Sequence, residues 1–508
     1  MTPPVGTFCL VLHSHLPWLA HAGTWPVGEE WLYQAWSGSY RRVLGVLETF
    51  AAEGYRDLLT LGVTPVLAAQ LDDPYCLDEL HRWLGDWQNR AQEMAGRRDP
   101  ALRGLAADEF RAAAEALGDF EARWRHGASA VLRPLLDAGV VELLGGPATH
   151  SFTPLLSDRV AEFALQAGLA DTRLRLGTVP AGIWAPECGY RPGLEHLYAR
   201  AGVTRFVVDG PSLHGDTGEA RTVGDSDVVA FGRDLEVTYR VWSPRRGYPG
   251  GRHYRDFHTF DHGSGFRTAR VTSASTRPER KAPYAPAAAA AAARADAADF
   301  VDVVRRRLTG LRERTGRPAL VVAAYDTELF GHWWHEGPEF LTAVLRSLPA
   351  AGVRVATLGG ALAAGHLGGR VVLPESSWGS GKDWRVWQVP DLAEQGWLVQ
   401  DRLLRIVDKT VEARTPRSAE LDQLGREGLL ALSSDWAFMV TKNSAPDYAR
   451  RRAAQHADRF ARLADGLEAG TPDSALAAGL RRIDGPFGAL DARQLARSPG
   501  LGDMPAAL

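Results

Sequence analysis

The sequence predicts an α/β fold built on parallel strands, with a helical insertion near the N-terminus and a separate all-helical region at the C-terminus. Three observations predict it. About seven short apolar runs are separated by helical sequence, the βα alternation that builds a parallel sheet or barrel. One crossover, from about 77 to 136, is helical throughout. Beyond about residue 372 the strand-like runs give way to amphipathic helices. The expected domains are therefore 1–74 and 138–372 for the two parts of the barrel, 75–137 for the insertion and 373–508 for the helical C-terminal domain.

Taken in order, TFCLVL (7–12) reads as a buried strand that ends in His13-Ser14-His15-Leu16-Pro17. Two histidines at i and i+2 on an extended chain point the same way. They suit a metal pair, two hydrogen-bonding groups on a pocket wall, or satisfied core residues. A second strand and the start of a helix occupy 57–71, and the insertion follows, with Trp83, Trp87, Phe110, Phe120 and Trp124 as its own core. GVVELL (139–144) ends in Gly145-Gly146-Pro147-Ala148-Thr149-His150. VPAGIWA (179–185) ends in Pro186-Glu187-Cys188, and VTRFVV (203–208) ends in Asp209. Residues 226–242 read as a short pair of strands or a strand with an irregular partner, followed by a Gly-rich basic and aromatic loop. Unstructured loops beyond about 15 residues are uncommon and often functional. The Ala-rich segment after it reads as a helix, because Phe300, Val303 and Val304 fall at helical spacing. An apolar run at 319–324 then stops at Tyr325-Asp326-Thr327-Glu328, and VRVAT (353–357) supplies a last strand. The tail from about 484 reads as a loose terminus.

Composition bounds the function. The chain has 508 residues, 45% hydrophobic and 23% charged, as a soluble globular protein does. A formal net charge of −3 gives no long-range pull toward nucleic acid or acidic membranes. Cys9, Cys76 and Cys188 are scattered, without CxxC spacing, so neither a disulfide framework nor a zinc site is expected. No basic leader or apolar run of about 18 residues is present, and a cytoplasmic protein without membrane partners is expected. Sixteen tryptophans offer flat apolar faces that suit sugar rings as well as cores.

The polar clusters all follow strands, where parallel α/β folds place their chemistry. Asp326 alone also admits a lesser reading as a helix cap. Five strand ends carrying groups that can converge favour a site. No GxGxxG after a strand, GxxxxGK[ST] or GxSxG is present. Glu187 and Asp326 stand out, with Trp184, Tyr190, Tyr325, Trp333 and Trp334 around them. Paired carboxylates among aromatic platforms are what glycoside chemistry needs: one attacks the anomeric carbon and the other protonates the leaving oxygen. The competing reading is a metal-dependent hydrolase, as in polysaccharide deacetylases, using His13, His15, His150 and Asp326.

Five segments carry a resemblance. In order they are His13-Ser14-His15-Leu16-Pro17, Gly145 to His150, Trp184-Ala185-Pro186-Glu187-Cys188, Tyr325 to Trp334, and Ser376-Ser377-Trp378-Gly379 through Trp387. Through them the chain resembles glycoside hydrolase family 57. TWPVGEEWLY and GYPG are similar to its α-glucan branching members specifically. The resemblance spans nearly the whole chain. It implies a distorted (β/α)7 barrel with an inserted helical domain, closed by the C-terminal helical domain, and no cofactor or metal. It implies Glu187 as nucleophile and Asp326 as general acid/base on an α-glucan substrate and acceptor, with α-1,4 hydrolysis as the alternative within the family.

By the same likeness, His13, His15 and His150 line the innermost sugar site, and Trp31, Trp378 and Trp387 form sugar platforms. Asp435 reaches the substrate from the C-terminal domain, and Arg270 contacts it. The loop around Tyr248 is expected to close as a lid, and the acid's pKa to be raised by its partner's charge and by burial. Ser444 stands where branching members often carry Gln, and the segment before Arg270 lacks an expected aromatic. Both departures bear on acceptor binding.

Overall fold

The computed structural model describes residues 4–24, 27–243 and 247–496. Ten strands form one sheet: β1 (Gly6–Ser14), β2 (Leu59–Val63), β3 (Val141–Gly145), β4 (Gly182–Ile183), β5 (Arg205–Asp209), β6 (Ala220–Val223), β7 (Val229–Arg233), β8 (Ala319–Asp326), β9 (Val353–Val355) and β10 (Leu367–Val371). Seven of them close a parallel barrel in the order β1-β2-β3-β4-β5-β7-β8, and β8 returns to β1. The expected barrel is observed, and its distortion has three sources. β4 contributes only two residues. β9 pairs with the lower half of β1, beside Gly6–Phe8, while β2 pairs with the upper half from Val11 to Ser14. β6 runs antiparallel to β7 and carries β10 outside the barrel. The strand read at 353–357 is therefore a flank, and β7 is the stave. The second half of 226–242 is helix, Leu235–Val241, started by Asp234, whose carboxylate accepts from the Val237 N–H.

Alternation decides what points inward. Cys9, Val11, Val207, Phe231, Val322 and Ala324 form the barrel's inner core, while Phe8, Leu10, Leu12, Val321 and Ala323 face the surrounding helices. Fully burying Val11, Phe231 or Val322 contributes roughly 1.5–3 kcal/mol each. Extending the inward parity to the strand ends brings His13, Asp209, Arg233 and Asp326 to the same mouth.

The insertion is the helix pair Pro74–Ala95 and Pro100–Ala122, followed by Ala128–Asp137. Proline at the first position of both long helices gives up no hydrogen bond there, and Asp73 and Asp99 cap them. Phe110 is 43% exposed, so it does not belong to the insertion's core as expected, whereas Phe120 and Trp124 do. The Ala-rich segment is the helix Pro286–Thr315, with Phe300, Val303 and Val304 buried. Helices Pro390–Glu412, Ala419–Ala431, Ser434–Thr441 and Pro446–Glu468 form the C-terminal part. The described tail is packed, not loose: Phe487, Leu490, Ala492 and Leu495 are buried, and the Arg426 guanidinium donates to the carbonyls of Pro486 and Phe487.

Candidate active site

Glu187 stands on the turn after β4 with φ 60° and ψ 22°, and Cys188 follows at φ 51°. His150, after β3, is also left-handed at φ 56°. Non-glycine residues held there cost on the order of 1–3 kcal/mol each, and such strain clusters at functional sites. Glu187 is 9% exposed. One carboxylate oxygen accepts from the Trp378 indole N–H at 2.7 Å and the other from the Ser434 hydroxyl at 3.4 Å. The Trp378 backbone N–H also donates to the Glu187 carbonyl at 2.8 Å.

Asp326 ends β8 level with His13 on β1. It sits at the N-cap of the turn Thr327–Leu329, yet its side chain makes no cap hydrogen bond, which removes the capping account. Among the described residues it has no hydrogen-bond donor, so the two carboxyls differ: Glu187 is held from both sides and Asp326 is unengaged. Burial pushes Glu187 up to about 7, against the pull of the Trp378 N–H, with the charges of Asp435 and Asp326 adding to the rise. Burial pushes Asp326 up to about 6, against the nearby Arg233 and His15 cations. The expected rise of the acid is present, with burial its largest cause, and the coupling between the two carboxyls is felt at Glu187.

Three imidazoles form the wall. His13 stacks on Trp184 at 4.5 Å, and its Nε2 meets His150 Nε2 at 3.1 Å. His150 Nδ1 lies 3.0 Å from the Ser434 hydroxyl. His15 stacks on His150 at 3.8 Å, contacts the Thr64 hydroxyl, and pairs with Asp435 at 3.0 Å. Asp435 raises the pKa of His15, against the burial that is its largest influence, and burial lowers those of His13 and His150. Of the three, His15 is the one whose charged form its surroundings favour. A donor atom from each of His15, His150 and Asp435 lies within 4.8 Å of the others, a spacing compatible with a metal, but the His15–Asp435 ion pair already occupies it.

Several groups here escaped sequence reasoning. Arg233 is 5% exposed, pairs with Asp209 at 2.8 Å and lies 5.1 Å above the Trp378 ring. Lys382 pairs with the other Asp209 oxygen at 2.6 Å. The signal for Arg233 was inward parity two residues past Phe231, hidden because 226–242 read as a strand pair without defined bounds. Ser434 gave no local signal beyond its place beside Asp435. Glu328 accepts from the Tyr40 hydroxyl and the His15 N–H, and burial followed by the Asp326 charge raises it to about 8.

Other expectations are corrected. Trp387 is 3% exposed, one face stacked on Phe152 at 4.4 Å, so it supports the Trp378 loop instead of offering a platform. Tyr248 is buried among Phe300 and Phe340, and its hydroxyl donates to Asp299 at 2.5 Å, so its ring is committed to the core. Residues 244–246 of the expected lid lie outside the described residues, as do Trp25 and Pro26. Arg270 joins His253 on a bridge with Arg255, and Arg233 supplies the cation at the carboxylates instead. Ser444 is exposed after the helix Ser434–Thr441 and makes no side-chain contact with the site. Trp31, by contrast, is partly buried and tilted toward Tyr448 at 6.2 Å, and Tyr448 feels the charge of Asp435. All three cysteines are buried and free.

Residues 9–363 match the description "Glycosyl hydrolase family 57", and residues 398–494 match "1,4-alpha-glucan branching enzyme, C-terminal". A probable 1,4-alpha-glucan branching enzyme of Mycobacterium tuberculosis is 56% identical over 97% of this chain and 99% of its own. The crystal structure of a GH57-type branching enzyme from Pyrococcus horikoshii superposes with a TM-score of 0.91 at 30% identity, covering 97% of both chains. An α-amylase of Thermotoga maritima superposes at 0.87 with 26% identity, covering 97% of this chain and 99% of its own. Among the described residues no helix is long and apolar enough to cross a membrane.

Proposed function

The chain belongs to glycosyl hydrolase family 57, and from that premise we propose that it is a 1,4-α-glucan branching enzyme working by retaining double displacement. The observation that carries the assignment of roles is the unequal treatment of the two carboxyls. Glu187, gripped by Trp378 and Ser434, is oriented to attack, and the Trp378 N–H offsets part of the burial that opposes its ionisation. Asp326, half-buried and without a donor, is suited to hold and pass a proton. At rest burial holds Glu187 at about 7 and Asp326 at about 6, so the mobile proton starts on Glu187 and substrate entry is expected to move it to Asp326.

Glu187 then attacks the anomeric carbon of an α-1,4 link while Asp326 protonates the departing O4. In the second half, a C6 hydroxyl of another glucan attacks the glucosyl ester. Its proton returns to Asp326, and the Glu187 carboxylate leaves. Two inversions retain configuration. The His15–Asp435 ion pair, neutral overall, sits beside the reacting carboxylates, its imidazole favouring charge on Glu187 and its carboxylate opposing it, and His13 and His150 line the wall as hydrogen-bonding groups.

The amylase-like neighbour favours a second reading, in which water wins the second step. Incubation with amylose separates the two. Loss of iodine colour with new α-1,6 anomeric proton signals and few new reducing ends is the branching outcome. Reducing ends that rise in step with colour loss overturn it in favour of hydrolysis. Full activity in EDTA is expected, and activity restored only by a divalent metal would sink the two-carboxylate mechanism.

A further inference from the structure

A cleft of about 400 Å³, called the side cleft here, opens between the inserted helix pair, the helical segment Glu30–Arg42 and the loop 255–267. None of its lining residues touches Glu187 or Asp326. It shares two elements with the carboxylate site. The turn after β8 carries Asp326 and Glu328 to the barrel mouth and then sends His332 and Trp333 into the side cleft. The segment Glu30–Arg42 turns Tyr40 toward Glu328 and presents Gln34 and Ser37 to the side cleft. Gly331, at φ +109°, packs so closely on Gly38 that a Cβ there would sit 1.9 Å from the Gly38 carbonyl oxygen, which locks the two elements together.

The lining is built. The Trp87 indole N–H is held by Glu109 at 2.9 Å, and Trp83 Nε1 lies 3.4 Å from Glu30, which fixes both rings. Arg90 lies over the rings of Trp83 and Phe266, and Arg267 over Phe257 and Phe260 at 4.3 and 4.6 Å. Neither arginine has a carboxylate partner among the described residues; Arg267 donates only its Nε–H, to the Phe257 carbonyl. Their remaining N–H groups are donors in waiting. Arg255, by contrast, is paired with Glu109 and Arg42 with Glu339. Counted over the lining, Arg41, Arg42, Arg90, Arg255 and Arg267 face Glu30, Asp108, Glu109, Glu115 and Glu339, so five cations meet five anions. A surface rich in donors, acceptors and aromatic faces, yet neutral, recognises a neutral polyol and offers an anion no net attraction.

We propose that the side cleft is the acceptor site, holding the α-glucan chain whose C6 hydroxyl is delivered to the intermediate. This rests on the branching reading above. Trp333, which lines the side cleft, tilts against Trp242 at 5.6 Å, and Trp242 is 42% exposed. In the transfer step the acceptor O6 forms a bond to the anomeric carbon and the bond from that carbon to the Glu187 carboxylate breaks. The O6 proton passes to Asp326.

Two variants test this. Ala112→Trp fills the side cleft from the partly exposed face of the second inserted helix without removing a polar contact, and Arg90→Ala removes a free donor. With amylose, α-1,6 linkages and reducing ends are counted in the same sample. Both variants are expected to lower the ratio of transfer to hydrolysis about tenfold. In a Glu187→Gln background, calorimetric titration with maltoheptaose is expected to lose one binding event when Ala112→Trp is added. A wild-type ratio in both variants, or an unchanged number of binding events, overturns the assignment. So does displacement of maltoheptaose by inorganic phosphate, which would mark an anion site. A wild-type protein that makes no α-1,6 linkages refutes the branching reading itself, independently of the variants.

Discussion

Two clusters in this molecule use the same residue types to different ends. At the barrel mouth, His15, His150 and Asp435 bring their donor atoms within 4.8 Å; in the C-terminal helices, Glu427, His456 and Asp484 do the same. The mouth cluster retains access, with the His15 and Asp435 side chains 11% and 16% exposed, and it adjoins left-handed backbone at His150 and Glu187. The helical cluster is sealed, with the side chains of His456 and Glu427 at 0%. Glu427 accepts from Gln423 and meets His456 Nδ1 at 2.9 Å, while Asp484 is paired with Arg459. Burial raises Glu427 and lowers His456, so that couple is neutral, whereas the His15–Asp435 couple is charged. The difference teaches that composition does not distinguish a reactive cluster from a structural one. Access, strain and unevenly satisfied oxygens do.

Breaking the first cluster should be a kinetic event and breaking the second a thermodynamic one. The largest effect is expected at Glu187→Gln: transfer falls about 10⁴-fold or more, as for a lost nucleophile. The fold gains up to about 3 kcal/mol near pH 8, because a carboxyl whose pKa is raised to about 7 no longer has to ionise in a buried site. A lower melting temperature in that variant would contradict the strained, desolvated picture of Glu187. Asp326→Asn is expected to cost about 10²–10⁴-fold in turnover, measured with amylose by colour loss.

On the other side, Glu427→Ala should cost about 2–5 kcal/mol in denaturant unfolding, through a cavity and orphaned partners at Gln423 and His456. Turnover of the folded fraction should stay within about twofold; a large kinetic defect at low temperature would erase the distinction between the clusters. Asp435→Asn, which leaves the His15 imidazole without its counter-charge, is expected to lower turnover roughly tenfold and shift the pH profile of activity, since Asp435 is the main group raising that imidazole.

The smallest effect is the pH dependence of stability. Between about pH 4 and 7 the unfolded chain releases protons that folded Glu187 and Asp326 retain, so stability falls as pH rises through that window. His15 acts in the same direction, its raised pKa contributing stability at low pH that is lost above it. Melting curves across the window should be flatter for Glu187→Gln and Asp326→Asn than for the wild type.

Much of the mouth was legible because strand parity is a local property. Cys9, Val11 and His13 share one face whatever the rest of the chain does, and so do Val322, Ala324 and Asp326. Parity would have added Arg233, had β7 been separated from the helix that follows it. Ser434 and Tyr40 were beyond reach, since each meets its carboxyl partner only across a contact spanning more than 240 residues. Tyr248 read as part of a lid and Trp387 as a sugar platform by likeness to the family, yet packing against Phe340 and Phe152 had already claimed their faces.

The sequence by itself determined the alternation of strands and helices, the inward parity of each strand, and the delivery of Glu187, Asp326 and the histidines to strand ends, because these follow from periodicity and residue chemistry over short stretches. Only the tertiary structure decided which carboxyl is gripped and which is free, which imidazole carries charge, and which aromatic faces remain open. Those properties belong to distances between elements and to the loss of water around them, and neither is encoded in any one segment.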